Sequence, residues 1–262
     1  MRDQTTSGGQ RYRGVRWTLR QLGFGFFRLR VHGLEEIPGR GGVILAGNHP
    51  SVLDGILLLI LSPRPVRFLV AEELFNHPLL RWIFEGMGCI PVYRTNTRNG
   101  DALRAAVEAL QRGEAIGIFP EGTTSDRGAM RVVRRGVGLL ALKTGAPVVP
   151  FGVAGSEDAY PADARVPRPG RVTLVFAPAV TYGRSGDAFI PPAILRPVLE
   201  DVRWNIRRAM TWAHETHAAP LLLWRWKWCE VALSAFIVLP LSALLSLTSN
   251  PSLEPAAEAP RV

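Results

Sequence analysis

Short apolar runs alternate with segments of helical periodicity between residues 31 and 217. Apolar runs of this length, bounded by glycine, proline or asparagine, are typical of buried strands. We predict strands at 43–46, 66–70, 89–93, 115–119, 148–153 and 172–176. We predict helices between them at 55–61, 79–84, 101–112 and 137–143. The alternation indicates one α/β domain over residues 31–217, in which a mixed central sheet is flanked by helices.

The predicted domain closes with a long helix at 191–217. Its apolar positions recur at helical spacing and form one stripe: Ile194, Val198, Val202, Ile206 and Ala213. Pro191 and Pro192 suit the start of a helix, where proline is tolerated. At its end, His214-Glu215-Thr216-His217 has one residue between Glu and the second His, whereas the helical zinc motif has two. We therefore expect these histidines to complement the helix dipole and not to bind a metal.

The N-terminal region divides into a polar segment and a basic, apolar one. Residues 1–10 are polar and lack the apolar core of a signal peptide, so we predict disorder there and no secretion. Residues 11–30 carry a helical apolar stripe of Val15, Leu19, Leu22, Phe26 and Leu29. Six arginines accompany it: Arg11, Arg13, Arg16, Arg20, Arg28 and Arg30. The pattern predicts an amphipathic helix on an anionic membrane surface, and packing of the stripe on the domain is the alternative.

The C-terminal region, 218–248, is aromatic and then strongly apolar. Its stretch 231–247 has 17 residues without a charge, about 26 Å of helix at 1.5 Å per residue, slightly less than the ~30 Å hydrocarbon core. Tryptophans interleave with basic residues at 224–228, as at a membrane interface, and the positive end would face the cytoplasm. A single span, a half-inserted hairpin broken at Pro240 and a helix packed on the domain all fit. Residues 249–262 are predicted to be a disordered tail.

Composition and charge narrow the classes of partner. The chain has 262 residues, 47% of them hydrophobic, which excludes a disordered, collagen-like or disulfide-scaffold protein. The two cysteines, Cys89 and Cys229, show no metal or disulfide spacing, which favours a reducing compartment. The net charge is +9, mainly from arginine, which suits anionic partners. Charge alone suggests a nucleic-acid partner, because no nucleic-acid-binding motif is present. The aromatic residues beside the basic ones are more typical of a protein that binds a membrane surface.

A histidine and an aspartate mark the first candidate site. Residues 48–55 read Asn-His-Pro-Ser-Val-Leu-Asp-Gly, directly after a predicted strand. His49 and Asp54 are five residues apart, so on a continuous helix they would lie on different faces. They can meet if His49 lies in the loop and Asp54 in the first helical turn. A carboxylate against an imidazole prepares a general base; the alternative is a loop-capping His and an Asp at a helix start.

Two further segments supply polar groups at strand ends. Residues 119–125 read Phe-Pro-Glu-Gly-Thr-Thr-Ser after a strand, where ligands usually bind in α/β folds. Cations follow at Arg127, Arg131, Arg134 and Arg135. Residues 86–94 predict a turn, a strand and Arg94 at its end. The alternatives are an ordinary polar turn and an ordinary surface arginine. The segment Pro-Val-Val-Pro at 147–150 taken alone predicts only a buried strand.

Together these segments resemble the four sequence blocks of the glycerolipid acyltransferase family, the 1-acylglycerol-3-phosphate acyltransferases. The blocks here are Asn-His-Pro-Ser-x-x-Asp, Gly-x-x-Pro-Val-x-Arg, Phe-Pro-Glu-Gly-Thr and Val-Val-Pro, in that order. Residues 31–38 also resemble the family's lead-in to the first block. The resemblance covers about residues 30–180 and identifies 31–217 as an acyltransferase domain.

The resemblance implies a reaction and roles for six residues. A fatty acyl group would pass from acyl-CoA or acyl carrier protein to the free hydroxyl of 1-acylglycerol-3-phosphate, giving phosphatidate for phospholipid biosynthesis. His49 would be the general base and Asp54 would orient it, with no covalent acyl-enzyme. The acceptor's phosphate would be held by the second and third blocks, here Arg94, Glu121, Gly122 and Thr123. No metal and no organic cofactor is implied. The expected location is the cytoplasmic face of the cell membrane, peripheral or with one C-terminal segment.

One position departs from the family pattern. The third block commonly continues Gly-Thr-Arg, but Thr124 stands where Arg is usual, and Arg127 or Arg131 could replace it. Another lysolipid or glycerol-3-phosphate therefore stays open as acceptor. A third reading is a non-catalytic, peripheral membrane-binding protein on the same fold. The presence of both His49 and Asp54 argues against it, because a protein without the activity has no need of the pair.

Overall fold

Seven strands of the described residues form one sheet. The computed structural model describes residues 26–76, 81–92, 99–122, 130, 132–161, 164, 166–185 and 189–219. The strands are β1 (Arg28–His32), β2 (Val43–Gly47), β3 (Val66–Ala71), β4 (Ile90–Val92), β5 (Ala115–Ile118), β6 (Val148–Ala154) and β7 (Arg171–Phe176). Their order is β1-β7-β6-β2-β5-β3-β4. The five strands from β6 to β4 are parallel, whereas β7 is antiparallel to β6 and pairs in parallel with β1.

Helices cover both faces of this sheet. They are α1 (Leu53–Leu61), α2 (Glu72–Phe75), α3 (Arg81–Gly86), α4 (Asn99–Gln111), α5 (Arg135–Thr144), α6 (Ser156–Ala159) and α7 (Pro192–Ala218), with a 3₁₀ turn at Leu34–Glu36. Strand β2 illustrates the layering. Val43 and Leu45 pack in the cluster that contains α1, whereas Ile44 and Ala46 pack with α4, α5 and α7. Every residue of β2 is therefore buried, as in the centre of a parallel sheet.

The mixed α/β sheet and the six predicted strands are confirmed, with small shifts of their ends. The predicted strand 115–119 ends at Ile118, so Phe119 begins a turn. The predicted strand 89–93 is described over Ile90–Val92. The long final helix is present as α7, whose buried residues include Val202, Ile206 and Ala213 of the predicted stripe.

The end of the predicted N-terminal helix is wrong. Residues 28–30 of the segment 11–30 belong to β1, which pairs with the edge of β7. Phe27, Leu29 and Val31 enter the same core cluster at every second position, which is the periodicity of a strand. Pairing with β7 also satisfies backbone groups that an edge strand would otherwise expose. Residues 1–10 and the part of the predicted helix up to residue 25 lie outside the described residues.

Two arginines bind the last carbonyl groups of α7. Arg30 Nη1 donates to the carbonyl of Thr216 at 2.7 Å, and Arg171 Nη1 donates to that of His217 at 2.8 Å. Such cations satisfy carbonyls that have no partner within a helix. Burial, together with the nearby arginines, lowers the pKa of His217, whose Nδ1 lies 3.3 Å from the Thr173 hydroxyl.

The predicted membrane segment 218–248 lies outside the described residues from residue 220 onward, as does the predicted tail 249–262. Within the part of the chain that is described, no helix combines the length and the apolar character needed to cross a bilayer.

Candidate active site

The loop after β2 is fastened to β6 by one asparagine. Asn48 is buried, and its Nδ2 donates to the carbonyl of Val153 at 3.0 Å while its Oδ1 accepts from the Val153 amide at 2.8 Å. The side chain thus continues the strand pairing one residue beyond β2. Gly47 permits this approach, because a Cβ there would meet the Phe151 ring at 2.3 Å. The next residue, His49, therefore starts from a fixed backbone position.

We predict that Asn48→Ala destabilises the fold by about 2–4 kcal/mol, because it leaves the buried amide and carbonyl of Val153 unpaired. Chemical denaturation of the two proteins measures the difference. Asn205→Ala is the matched control, since Asn205 makes its hydrogen bonds at an exposed position on α7. Equal stabilities of Asn48→Ala and the wild-type protein would contradict this role.

The predicted contact between histidine and aspartate is present. His49 Nδ1 lies 3.0 Å from Asp54 Oδ2, and the same oxygen accepts the amide of Ser51 at 2.8 Å. Helix α1 begins at Leu53, so Asp54 lies in its first turn and His49 in the loop before it. Asp54 is fully buried, whereas the His49 side chain is 19% exposed. Since Nδ1 donates to the carboxylate, Nε2 is the ring nitrogen that can take a proton.

The hydroxyl of Ser51 is engaged in holding the loop. It donates to the carbonyl of Tyr160 at 2.9 Å and accepts the amide of Leu53 at 3.3 Å, and the residue is 3% exposed. The hydroxyl thus joins the start of α1 to the segment after α6, a link to Tyr160 that no sequence pattern indicates.

An aromatic ring lies against the imidazole. Phe119 stacks on His49 with 3.9 Å between ring centroids and 12° between ring planes. The contact arises because β2 and β5 are parallel neighbours, so the residues that follow them meet at one edge of the sheet. Both segments follow predicted strands, but no sequence pattern indicates that these two residues meet. The first and third sequence blocks are thus in direct contact.

The turn after Phe119 is shaped by a glycine and an arginine. The Gly122 amide donates to the carbonyl of Phe119 at 3.0 Å, with φ of +73° at Gly122. Arg134 binds the turn twice, through its amide to Pro120 O at 2.8 Å and through Nε to Glu121 O at 3.0 Å. Glu121 is buried beside it. Of the cations that follow the third block, Arg134 therefore has a role in holding this turn.

The predicted site residues divide between the described part of the chain and the rest of it. Arg94 and Thr123, and also Thr124, Arg127 and Arg131, lie outside the described residues. Of the six predicted site residues, the structure brings His49 and Asp54 into contact. It places Glu121 and Gly122 in the turn that follows Phe119, whose ring covers the imidazole.

Cys89 is a buried thiol that precedes β4. Burial raises its pKa to about 11, so almost none of it is thiolate at pH 8. We predict that iodoacetamide leaves Cys89 unmodified in the folded protein at pH 8, as read from its tryptic peptide by mass spectrometry. The same peptide from urea-unfolded protein is the positive control. Rapid alkylation in the folded state would show that the thiol is accessible and reactive.

Comparison with known proteins finds similarity to acyltransferases. The family model described as Acyltransferase matches residues 28–154, which include β1 to β6 and the His49 loop. A chloroplastic 1-acyl-sn-glycerol-3-phosphate acyltransferase of Arabidopsis thaliana is 32% identical over 138 residues, 52% of this chain and 38% of that protein. A 1-acyl-sn-glycerol-3-phosphate acyltransferase of Borreliella burgdorferi is 34% identical over 124 residues, 47% of this chain and 50% of that protein.

A solved structure extends the similarity to most of the chain. The crystal structure of the 1-acyl-sn-glycerophosphate (LPA) acyltransferase PlsC from Thermotoga maritima superposes with a TM-score of 0.64 and 28% sequence identity. The match covers 84% of this chain and 85% of that one. The chain spans only about two fifths to one half of the two curated relatives above.

Proposed function

We propose that this chain, whose residues 28–154 match the family model described as Acyltransferase, transfers a fatty acyl group from a thioester to the free hydroxyl of 1-acylglycerol-3-phosphate. The product is phosphatidate. The observation that carries the proposal is the 3.0 Å contact between His49 Nδ1 and the buried carboxylate of Asp54, beside the third sequence block. The named relatives support the choice of a lysophospholipid acceptor and an acyl donor.

The proposed chemistry is direct transfer with a general base. His49 Nε2 takes the proton of the acceptor hydroxyl, and the hydroxyl oxygen attacks the carbonyl carbon of the thioester. The new C–O bond forms, the C–S bond breaks, and the imidazolium returns the proton to the departing thiolate. Asp54 holds the ring and stabilises its positive form. General-base assistance of this kind contributes about 10²–10⁴-fold to the rate, and we propose that neither a metal nor an organic cofactor takes part.

The acceptor is proposed to bind at the second and third blocks. Arg94 would pair with its phosphate, Gly122 would give the phosphate access to the backbone, and Thr123 would add a hydroxyl. Glu121 is acidic and cannot attract a phosphate, so its proposed role is to orient Arg94 or to accept a hydrogen bond from the acceptor. The donor is acyl-CoA or acyl carrier protein. Thr124 in place of the usual Arg favours a second candidate acceptor, another lysolipid.

The proposed location is the cytoplasmic face of the membrane, where the acceptor resides. The basic and apolar residues of 11–25 and the aromatic and apolar residues of 218–248 support attachment to an anionic lipid surface.

Thiol release from acyl-CoA by the detergent-solubilised protein tests the function. Three acceptors are compared: 1-acylglycerol-3-phosphate, glycerol-3-phosphate and a neutral lysolipid. We expect release that depends on 1-acylglycerol-3-phosphate, and release with another acceptor alone would reassign the substrate. No release with any acceptor, from acyl-CoA or from acyl carrier protein, would refute the acyltransferase proposal.

A further inference from the structure

We propose that Phe119 is a positioning residue for the base, which fixes the plane of the His49 imidazole and stabilises its charged form during transfer. This inference rests on the proposed function of His49. It gives one residue of the third sequence block a role in positioning the base, whereas other residues of that block are proposed to bind the acceptor. The evidence is the face-to-face stack of the two rings at 3.9 Å, with only 12° between their planes.

The stack complements the hydrogen bond to Asp54. The carboxylate holds one edge of the imidazole at Nδ1 but leaves the ring able to rotate about that contact. Phe119 covers one face of the imidazole and blocks this rotation. The lone pair of Nε2 therefore keeps a constant orientation. Two restraints from different elements, α1 and the turn after β5, therefore define the position of the base.

Phe119 is itself held firmly enough for this task. Its ring stacks on Phe68 of β3 with 6.2 Å between centroids, and it meets Phe151 of β6 edge-on at 6.0 Å. Rings from two strands, β3 and β6, thus hold the ring that supports the imidazole.

The aromatic face also favours the charge that appears during the reaction. The π face of a ring carries partial negative charge and attracts a cation within about 6 Å of its centroid. The imidazole is neutral when the substrates bind and positive once it has taken the acceptor's proton. The attraction is therefore stronger in the transition state than in the substrate complex, which raises kcat and leaves KM nearly unchanged.

Phe119→Leu tests the inference, because leucine keeps apolar volume and removes the aromatic face. We expect kcat to fall about tenfold, the size of a cation–π contact in a water-poor site, with the acceptor KM within about twofold of the wild-type value. Phe119→Tyr should retain most of kcat. Phe176→Leu is the matched control, because it removes a buried ring of the same core cluster that packs on Phe151 and, among the described ring contacts, not on Phe119 or His49. It should retain kcat even where its melting temperature falls as much as that of Phe119→Leu.

A spectroscopic measurement tests the stack without any substrate. Protons above an aromatic face are shielded, so the His49 ring-proton signal should move downfield in Phe119→Leu and stay in place in Phe176→Leu. NMR of histidine-labelled protein gives this shift, and His49→Ala assigns the signal. The inference would be overturned by an unmoved His49 signal, by a wild-type kcat for Phe119→Leu, or by an equal loss of kcat in Phe176→Leu. Absence of transfer by the wild-type protein with any donor and acceptor would instead refute the proposed function, and this inference with it.

Discussion

His49→Ala is expected to lower kcat for acyl transfer by about 10²–10⁴-fold, the usual contribution of a general base. The methyl group cannot accept the proton of the acceptor hydroxyl, so the attacking oxygen stays protonated and weakly nucleophilic. The cavity it leaves is small and close to solvent, because the His49 side chain is 19% exposed. We therefore expect little change in melting temperature. Steady-state thiol release and thermal unfolding of the same preparation measure the two quantities.

His214→Ala provides the control for this substitution. His214 is an exposed histidine on α7, remote in sequence from the candidate active site, and its loss should leave kcat at the wild-type level. A His49→Ala enzyme that retains more than about one tenth of kcat would contradict the general-base assignment.

Asp54→Asn is expected to produce the second large effect, a fall in kcat of about 10²-fold or more. The amide has the shape of the carboxylate and can still accept the Ser51 amide hydrogen bond, which spans 2.8 Å in the wild-type protein. It lacks the negative charge that stabilises the imidazolium, and its NH₂ group can present a donor where His49 needs an acceptor. The imidazole would then favour the wrong tautomer for proton abstraction.

Asp54→Ala separates this chemical effect from a structural one. Alanine leaves the buried Ser51 amide without its side-chain acceptor, so we expect it to lower the melting temperature as well as kcat. Asp201→Asn is the matched control, because Asp201 accepts hydrogen bonds from Tyr182 and Asn205 on an exposed surface. Wild-type kcat in Asp54→Asn would show that the carboxylate has no part in the reaction.

Much of the architecture was predictable because burial leaves a local signature. The central strands are apolar throughout, since helices cover both faces of the sheet, and each of the predicted strands is found. The contact between His49 and Asp54 was also predictable, because it depends only on a loop and the first turn of the helix that follows it. Local spacing therefore suffices to predict this contact.

Features that depend on strand order could not be derived from the sequence. The hydrogen bonds between the Asn48 side chain and the Val153 main chain require β6 to lie beside β2, although Val153 comes 105 positions after Asn48 in the sequence. The Phe119 stack likewise requires β5 to be the other neighbour of β2. The alternating apolar residues of β1 also fit the end of a helical stripe, and only the edge of β7, with which β1 pairs, selects the strand.

Formation of phosphatidate is the most direct test of the account. Labelled 1-acylglycerol-3-phosphate and an acyl thioester are incubated with the purified protein, and the lipid products are separated by thin-layer chromatography. The account predicts labelled phosphatidate from the wild-type protein and about 10²–10⁴-fold less from His49→Ala at equal protein concentration. Equal amounts of phosphatidate from both proteins would contradict it, as would its absence from the wild-type reaction with both acyl-CoA and acyl carrier protein as donors.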